Sequence, residues 1–268
     1  MQIYLNGRLA PPEDTRIAPG DRGFTLADGL FETLLVRDGR IVLLDAHLAR
    51  LTAGLDLLGF AGTPDRAALA AACEAARAAN AMALGVLRLT VTRGEGVRGL
   101  APPDAPRPTV LVTAAPYAPP PPDATAAIAR STARNERSPL SRCKALAYQD
   151  NILALMEARA AGADDALMLN TQGRLACSSV GNVVIRRGDA LLTPRLDEGP
   201  LSGTVRAAAI AALGIADAAL TPEELAGCDE IVLVNSLGVR RVTALDGRPL
   251  KGSRTLFDAL AALHESLA

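Results

Sequence analysis

The apolar positions in the first third of the chain follow two different spacings. Leucines recur three or four residues apart from Leu48 to Leu58, which predicts a helix capped by Asp45 and ended by Gly59. An alanine-rich helix should follow, from the Thr63-Pro64 pair to about residue 81. Shorter apolar or alternating runs predict strands at 3–6, 30–36, 41–44, 86–93 and 109–114. Because Asp-Gly favours a tight turn, the sequence 37–40 predicts a hairpin between the second and third of these strands.

The second half of the chain alternates between the two patterns. It predicts strands at 127–133, 166–169, 183–186 and 230–234, and helices at 148–161, 203–213 and 255–267. Between the halves lies a run of prolines, which favours a stiff, extended connection. We therefore expect an α+β chain with a smaller N-terminal α/β domain at 1–116, a proline-rich linker at 117–123 and a larger mixed α/β domain at 124–268.

Composition excludes several classes of protein. The net charge is −1 and no basic run is present, which argues against nucleic-acid binding. No apolar stretch approaches the length of a membrane span, and the first residues lack the pattern of a signal peptide. The four cysteines are widely spread, which fits a reducing compartment, so we expect a cytoplasmic protein. Only two histidines are present, at opposite ends of the chain, so we expect no metal site.

Lysine is scarce in this chain. Only Lys144 and Lys251 occur among 28 basic residues. Arginine replaces lysine well at a solvated surface, but it cannot replace an amine that must lose its proton and form an imine. Lys251 lies in a turn-like segment and is interpreted as a surface charge. Lys144 precedes a helix, and before any motif is considered its catalytic and surface interpretations are about equally supported.

Other segments carry weaker signals. A small turn at 200–206 opens an alanine-rich helix and could bind a phosphate through its amide groups, although an ordinary N-cap by Ser202 explains it equally well. Asn235-Ser236 at a strand end could add hydrogen bonds to such an anion. Arg50 suits phosphate geometry, but a solvated helix face is the simpler interpretation. The glycine-rich loop 92–99 carries two arginines that could bind a carboxylate, or it could be a long hairpin connection.

Taken together and in order, these segments resemble one family, the fold-type IV pyridoxal-phosphate enzymes or class IV aminotransferases. The likeness covers nearly the whole chain. It is carried by Asn6-Gly7, Asp21-Arg22-Gly23-Phe24, Asp28-Gly29-Leu30-Phe31-Glu32-Thr33, His47-Leu48-Ala49-Arg50-Leu51, Thr92-Arg93-Gly94, the lysine motif 144–151, Gly173 to Asn182, Thr193-Pro194, Leu201-Ser202-Gly203-Thr204-Val205-Arg206 and Asp229-Glu230-Ile231.

The resemblance implies a two-domain fold, pyridoxal 5'-phosphate as cofactor and a small amino-acid-like substrate. It also implies a homodimer whose active site lies at the domain junction. Lys144 would be the Schiff-base lysine, and Tyr148 could bond either the cofactor or that lysine, unless it only packs on the core. Cofactor contacts are implied for Lys144, Arg50, Tyr148, Cys177, Ser178, Gly203, Thr204, Val205, Asn235 and Ser236, and substrate contacts for Phe31, Thr33 and Arg98.

The sequence departs from the family pattern at one position. The family carries a glutamate that pairs with the pyridine nitrogen, and here Cys177 takes its place, with no Asp or Glu from 166 to 188. A free thiol titrates near pH 8.5, about four units above a glutamate, so it protonates the ring nitrogen poorly. A thiolate would need a strongly lowered pKa. The departure stands unless an acid arrives from elsewhere in the fold.

Three functions remain open at this stage. The missing acid and the lyase-like segments 21–29 and 235–240 favour a lyase that converts 4-amino-4-deoxychorismate to 4-aminobenzoate and pyruvate, as in folate synthesis. Such an elimination can expel its leaving group as the α-proton departs, and the product gains aromaticity. The alternatives are an aminotransferase for D-amino or branched-chain amino acids, with Arg98 binding the carboxylate, and a catalytically impaired relative that still binds the cofactor.

Overall fold

Antiparallel pairing organises the first unit of the computed structural model, which describes all residues from 1 to 268. This unit comprises Met1–Ala118, Cys143–Ala147 and Ala268. Its elements are β1 (Ile3–Leu5), β2 (Arg8–Ala10), α1 (Arg22–Leu26), β3 (Gly29–Arg37), β4 (Arg40–Ile41), α2 (Leu44–Leu57), α3 (Arg66–Ala79), β5 (Gly85–Thr92) and β6 (Thr109–Ala115). The six strands form one sheet in the order β2-β1-β6-β5-β3-β4, and every pair in it is antiparallel.

The core of this unit lies between the sheet and the two long helices. Leu30, Leu34 and Val36 alternate along β3 and join a buried cluster with leucines of α2 and α3. Because neighbouring residues of a strand point to opposite faces, Phe31 and Thr33 lie on the other face of the sheet. The alternation in the sequence therefore assigns one face of β3 to the core and leaves the other for further contacts.

The helix starts differ from their predicted positions. Leu43 is the N-cap of α2, in the left-handed region at φ 53°, and Asp45 lies in the first turn instead. Asp65 caps α3, since its side chain accepts a hydrogen bond from the amide of Ala68, and Thr63-Pro64 lies before the helix. A carboxylate directly before the first turn can reach an amide three residues on, whereas a residue farther upstream cannot.

The hairpin predicted at 37–40 is confirmed. Asp38 and Gly39 both have positive φ, at 51° and 72°, as a two-residue turn with right-handed strand twist requires. The strand that follows is shorter than predicted, because the chain leaves the sheet after Ile41 and enters α2.

The second unit comprises Pro119–Arg142 and Tyr148–Leu267. Its elements are β7 (Asp123–Ile128), α4 (Gln149–Ala160), β8 (Asp165–Leu169), β9 (Leu175–Ser178), β10 (Asn182–Arg187), β11 (Ala190–Pro194), α5 (Thr204–Leu213), β12 (Ala216–Ala218), α6 (Pro222–Gly227), β13 (Glu230–Asn235), β14 (Gly238–Leu245), β15 (Arg248–Pro249) and α7 (Thr255–Ser266). The main strand order is β12-β11-β10-β13-β14-β7-β8-β9, with β15 paired to β14. None of the helices in either unit is both long and apolar enough to cross a membrane.

Parallel and antiparallel pairs are mixed in this second sheet. The strand β7 runs parallel to both of its neighbours, β14 and β8, and the pair β11–β12 is also parallel. Apolar side chains fill both faces of the central strands, so that Ala126 and Ile128 join one buried cluster and Ala127 and Ala129 another. Burial on both faces removes the polar alternation that identifies a strand, which is why the short strand β9, buried throughout, was not predicted.

One turn of the first unit needs glycine for two reasons. Gly94 has φ +83°, and a Cβ built there would lie 1.9 Å from the carbonyl oxygen of Arg107. Gly39 has a similar φ of +72° but nothing within 4 Å of such a Cβ. Alanine substitutions at these two glycines therefore distinguish the cost of backbone strain alone from the cost of strain together with a steric clash.

We expect Gly39→Ala to destabilise the protein by about 1 kcal/mol, the usual cost of a left-handed conformation. Gly94→Ala should cost at least about 3 kcal/mol, since the chain at residue 107 must also move. Urea unfolding followed by circular dichroism measures both. Equal losses for the two variants would contradict the close approach at Gly94.

Candidate active site

Lys144 lies on a short segment that extends the sheet of the first unit. The amide of Phe31 donates to the carbonyl of Lys144 at 2.9 Å, and the amide of Leu146 donates to the carbonyl of Gly29 at 2.9 Å. These bonds hold the segment against β3 around a single antiparallel bridge between Leu30 and Ala145. The lysine is therefore held by backbone contacts with residues more than a hundred positions earlier.

Alternation along this segment decides where the lysine points. Cys143 and Ala145 are buried in the cluster beneath α2. Lys144 lies between them and takes the opposite face, where its Nζ is 4.4 Å from the ring centroid of Phe31. Lys144 is partly exposed and Phe31 is buried, so the lysine lies beside an apolar wall.

Arg50 is held by a carboxylate that the sequence did not single out. Its Nε donates to Glu32 Oε1 at 2.9 Å, and its Nη2 also bonds this carboxylate. His47 Nδ1 lies 2.7 Å from Glu32 Oε2. The carboxylate of Glu32 is completely buried, and together these contacts fix the orientation of the guanidinium. The family-like spacing of His47 and Arg50, three residues apart on α2, was the available signal for this cluster.

Burial by itself would raise the pKa of Glu32. Hydrogen bonds from His47 and Arg50, together with their charge, more than offset that effect and hold the pKa of Glu32 below its ordinary value. Glu32 is therefore ionised at neutral pH, and its negative charge is paired inside the first unit.

The N-terminus of α5 in the second unit has the features of an anion site. Its N-cap is Gly203, one position after Ser202, the residue that an ordinary cap would have used. A Cβ at Gly203 would lie 1.9 Å from Asn182 Oδ1, which explains why a residue without a side chain occurs there. The amides that open this ten-residue helix carry a partial positive charge, so the turn suits a phosphate.

The other predicted cofactor residues occupy distinct places in the second unit. Ser178 is buried, and its hydroxyl accepts from the amide of Gly181 at 3.0 Å. Asn235 donates to the carbonyl of Val180 at 3.2 Å and ends β13, so it already has a structural contact. The structure places the rest as follows: Tyr148 precedes α4, Thr204 and Val205 form the buried first turn of α5, and Ser236 follows Asn235.

The two arginines of the glycine-rich loop have different surroundings. Arg93 bonds Asp28 Oδ2 at 2.9 Å and the carbonyl oxygens of Leu58 and Gly59, so it supports the fold of the first unit. Arg98 is exposed in the loop. Of the two, only Arg98 remains a candidate for a substrate carboxylate.

Cys177 is buried in the second unit and behaves as a neutral thiol. Burial raises the pKa of Cys177, and the charge of Asp165 raises it further, while Arg134 lowers it too little to compensate. The thiolate alternative is therefore not supported. Asp165 is the carboxyl group that acts electrostatically on this thiol, one position before the stretch that the sequence shows to be free of acids.

Asp165 is unusual in its own right. Its Oδ1 accepts from the amide of Ala166 at 2.8 Å and from the hydroxyl of Ser179, but its buried Oδ2 has no hydrogen-bond partner. Burial raises the pKa of Asp165 above its ordinary value, more than these bonds lower it. The sequence gave no sign of this residue, because its position depends on the pairing of β8 with its neighbours.

Comparison with known proteins identifies the family. The sequence profile of the family described as amino-transferase class IV matches residues 29–245. The chain belongs to the class IV aminotransferases. These enzymes are pyridoxal-phosphate-dependent aminotransferases or lyases, so the expected enzyme class, fold class and cofactor are confirmed.

Individual class IV relatives differ in activity. The chain is 32% identical over 277 residues to a bifunctional aminodeoxychorismate lyase and D-amino acid transaminase of Mycobacterium tuberculosis, covering 93% of both chains. It is similar to the crystal structure of 4-amino-4-deoxychorismate lyase from Pseudomonas aeruginosa, with a TM-score of 0.83, 33% identity and coverage of 96% and 97%. A protein of M. tuberculosis described as a hypothetical aminotransferase, in its pyridoxal-phosphate-bound form, gives a TM-score of 0.88, 28% identity and coverage of 99% and 98%.

The residues of this class IV chain fit the cofactor in two respects. Lys144 is partly exposed with its amine beside an aromatic ring, and the turn at Gly203 opens a ten-residue helix whose first amides suit a phosphate. At Cys177 the fit is weaker, because a neutral thiol cannot stabilise a protonated pyridine nitrogen as a carboxylate does.

We expect Glu32→Gln to destabilise the protein by about 3 kcal/mol, because it leaves the guanidinium of Arg50 buried without its counter-charge. Glu74→Gln is the matched control. Its carboxylate pairs with Arg77 on an exposed helix face, so the loss should be within about 0.5 kcal/mol. Denaturant midpoints at pH 7 measure both.

The effect of Glu32 should also depend on pH. Since its pKa is lowered in the folded protein, its contribution is complete above the ordinary value of 4.5 and is lost as the pH falls through the folded value. The difference in unfolding free energy between the native protein and Glu32→Gln should therefore narrow below pH 4.5. A difference that stays constant from pH 7 to pH 3 would contradict this account.

Proposed function

We propose that the protein is a lyase that converts 4-amino-4-deoxychorismate to 4-aminobenzoate and pyruvate. The observation that carries the proposal is the buried, neutral Cys177 at the position of the family glutamate. An aminotransferase needs its carbanionic intermediate to survive until it is reprotonated, which depends on a strongly electron-withdrawing ring. An elimination that ends in an aromatic product needs less of that support. The likeness to a lyase and to a bifunctional lyase and transaminase agrees with this choice.

Each step of the reaction has a residue suited to it. Pyridoxal phosphate, when bound, forms an imine with an amine and withdraws electrons from the bonds of the attached carbon. Lys144 takes the proton from the carbon that bears the substrate amine. As the C–O bond to the enolpyruvyl group breaks, the same amine returns a proton to the departing group, which leaves as pyruvate. The amides at Gly203, Thr204 and Val205 would hold the phosphate, and Arg50, fixed by Glu32, would add its charge.

Incubating the cofactor-loaded enzyme with 4-amino-4-deoxychorismate should yield equal amounts of 4-aminobenzoate and pyruvate, measured by chromatography and by a coupled assay. Lys144→Ala should lower the rate by at least about a thousandfold and remove the absorption band of the lysine-bound cofactor. Lys251→Ala is the matched control, because Lys251 bonds only Asp229 at the surface. This variant should leave both the rate and the absorption band unchanged. Absence of 4-aminobenzoate from a fully loaded sample would rule out the lyase.

D-amino acid transamination is the second candidate, because the bifunctional relative carries that activity together with the lyase. Arg98 would then bind the substrate carboxylate. Cys177→Glu should raise the rate of the half-reaction with D-alanine by roughly tenfold or more, since a carboxylate supports the ring charge that transamination needs. Cys177→Ser is the control, and it should give no such gain. If Cys177→Glu does not change the rate of the half-reaction with D-alanine, the thiol of Cys177 is not what limits transamination.

The assembly is also proposed to be a homodimer. Phe24, Val97 and Leu100 leave large apolar side chains about four-fifths exposed on the first unit. Arg22 bonds the carbonyl of Leu100 at 2.9 Å, so two of these segments are held together. Such a patch is typical of an interface. Light scattering after size exclusion should give twice the mass of one chain.

A further inference from the structure

A single residue, Arg22, bonds both ends of the loop formed by residues 94–101. Its backbone amide donates to the carbonyl of Gly94 at 2.8 Å, where the loop begins. Its guanidinium donates to the three successive carbonyls of residues 99, 100 and 101, at 3.3, 2.9 and 3.2 Å. Between these two ends lies Arg98, which is exposed. The segment that carries Arg98 is therefore held from both sides by one side chain and its own amide.

The contacts of Arg22 require a guanidinium. This group has five N–H donors in a planar fork, so one donor can bind an anchor while the others reach neighbouring oxygens. The anchor is Asp28, whose Oδ2 accepts from Arg22 Nε at 2.8 Å. Burial by itself would raise the pKa of Asp28, but the bonds and charges of Arg93 and Arg22 hold that pKa below its ordinary value. Asp28 is thus ionised at neutral pH and keeps the guanidinium of Arg22 directed at the loop.

The middle of the loop lies directly against Arg22. The amide of Gly96 donates to the carbonyl of Gly20 at 3.2 Å, and a Cβ built on Gly96 would lie 2.9 Å from Arg22 Cδ. A Cβ built on Gly20 would lie 3.7 Å from Glu95 Oε1, which is an ordinary contact. The loop therefore has little room to shift while Arg22 stays in place.

We propose that Arg22 is a positioning residue that fixes the loop 94–101 and thereby places Arg98 for the substrate carboxylate. A long side chain on a mobile loop loses conformational entropy when it binds a ligand, and a loop that is already fixed loses less. This inference rests on the candidate function in which Arg98 binds that carboxylate. It goes beyond that function by naming the residue that sets the position of the loop.

Hydrogen exchange of the loop amides tests the positioning without requiring activity. Arg22→Gln should make the amides of 94–101 exchange at least about tenfold faster in the cofactor-loaded protein, because exchange reports local opening. Arg93→Gln is the matched control. Arg93 bonds the carboxylate of Asp28 at 2.9 Å, but its other donors bind the carbonyls of residues 58–59. Loop exchange in this control should stay within about twofold of the native rate.

A second pair of variants moves the loop and leaves the buried charges intact. Gly96→Ala places a methyl group against Arg22, so the loop must shift and its amides should again exchange at least about tenfold faster. Gly20→Ala is the control for this substitution. Its new methyl group meets Glu95 at an ordinary distance, so loop exchange should remain near the native rate.

The consequence for the substrate is tested with pyruvate, which is both a product of the proposed lyase and the keto acid of D-alanine. In calorimetric titration of the cofactor-loaded enzyme, Arg22→Gln and Arg98→Gln should each weaken pyruvate binding about tenfold. Adding Arg22→Gln to Arg98→Gln should cause no further loss beyond about twofold, because both act through one contact. Arg22→Lys keeps the charge but lacks the planar fork, so it should restore part of the affinity. The absorption band of the lysine-bound cofactor should be unchanged throughout.

The alternatives give distinct results. Equally fast loop exchange in Arg22→Gln and Arg93→Gln would mean that Arg22 only supports the fold, and would overturn the proposal. Native pyruvate affinity in Arg98→Gln, or losses from Arg22→Gln and Arg98→Gln that multiply in the double variant, would overturn it as well. An enzyme that makes no 4-aminobenzoate but shows the coupled loss of pyruvate affinity would reject the lyase and keep the role of Arg22.

Discussion

Two backbone hydrogen bonds between residues 144–146 and β3 determine where Lys144, the proposed Schiff-base lysine, lies. They pair a short connecting segment with β3 around the bridge between Leu30 and Ala145, and Lys144 is partly exposed between two buried residues. The neighbours Cys143 and Ala145 are buried on the other side, where Gly54 permits the approach: a Cβ there would lie 3.0 Å from Cys143 Cβ and 2.7 Å from Leu30 Cδ1. The proposed Schiff-base lysine is thus held by the packing of its buried neighbours.

Buried titratable groups have opposite charge states in the two units. In the first unit, Glu32 is ionised because Arg50 and His47 compensate its desolvation, so a full charge pair survives in the interior. In the second unit, Cys177 remains a neutral thiol and the neighbouring Asp165 has a raised pKa. Burial favours the neutral form unless a partner carries the opposite charge. This contrast is the physical basis of the proposed lyase activity.

Strong local patterns predicted the fold well. The leucine spacing of α2, the Asp-Gly hairpin and the alternating strands β3, β5 and β6 were recognised, since each depends on neighbours within one turn or one strand. The strands β2, β12 and β15 were missed because two or three residues are too few to show an alternation. β11 was also missed, as were β9, which is buried throughout, and β14, where two adjacent arginines interrupt the alternation. The predicted cap at Asp45 was wrong because the left-handed residue Leu43 turns the chain two positions earlier.

The sequence by itself determined the family, the scarcity that singles out Lys144, and the loss of the acid at Cys177, because these depend on residue identity and order. Only the tertiary structure decided that Glu32 orients Arg50, that Asp165 acts on the thiol, and that Arg22 bonds the loop that carries Arg98. These groups are separated by many residues along the chain. Strand pairing and helix packing bring them together, and neither the register of a sheet nor the face that a segment presents is written in local spacing.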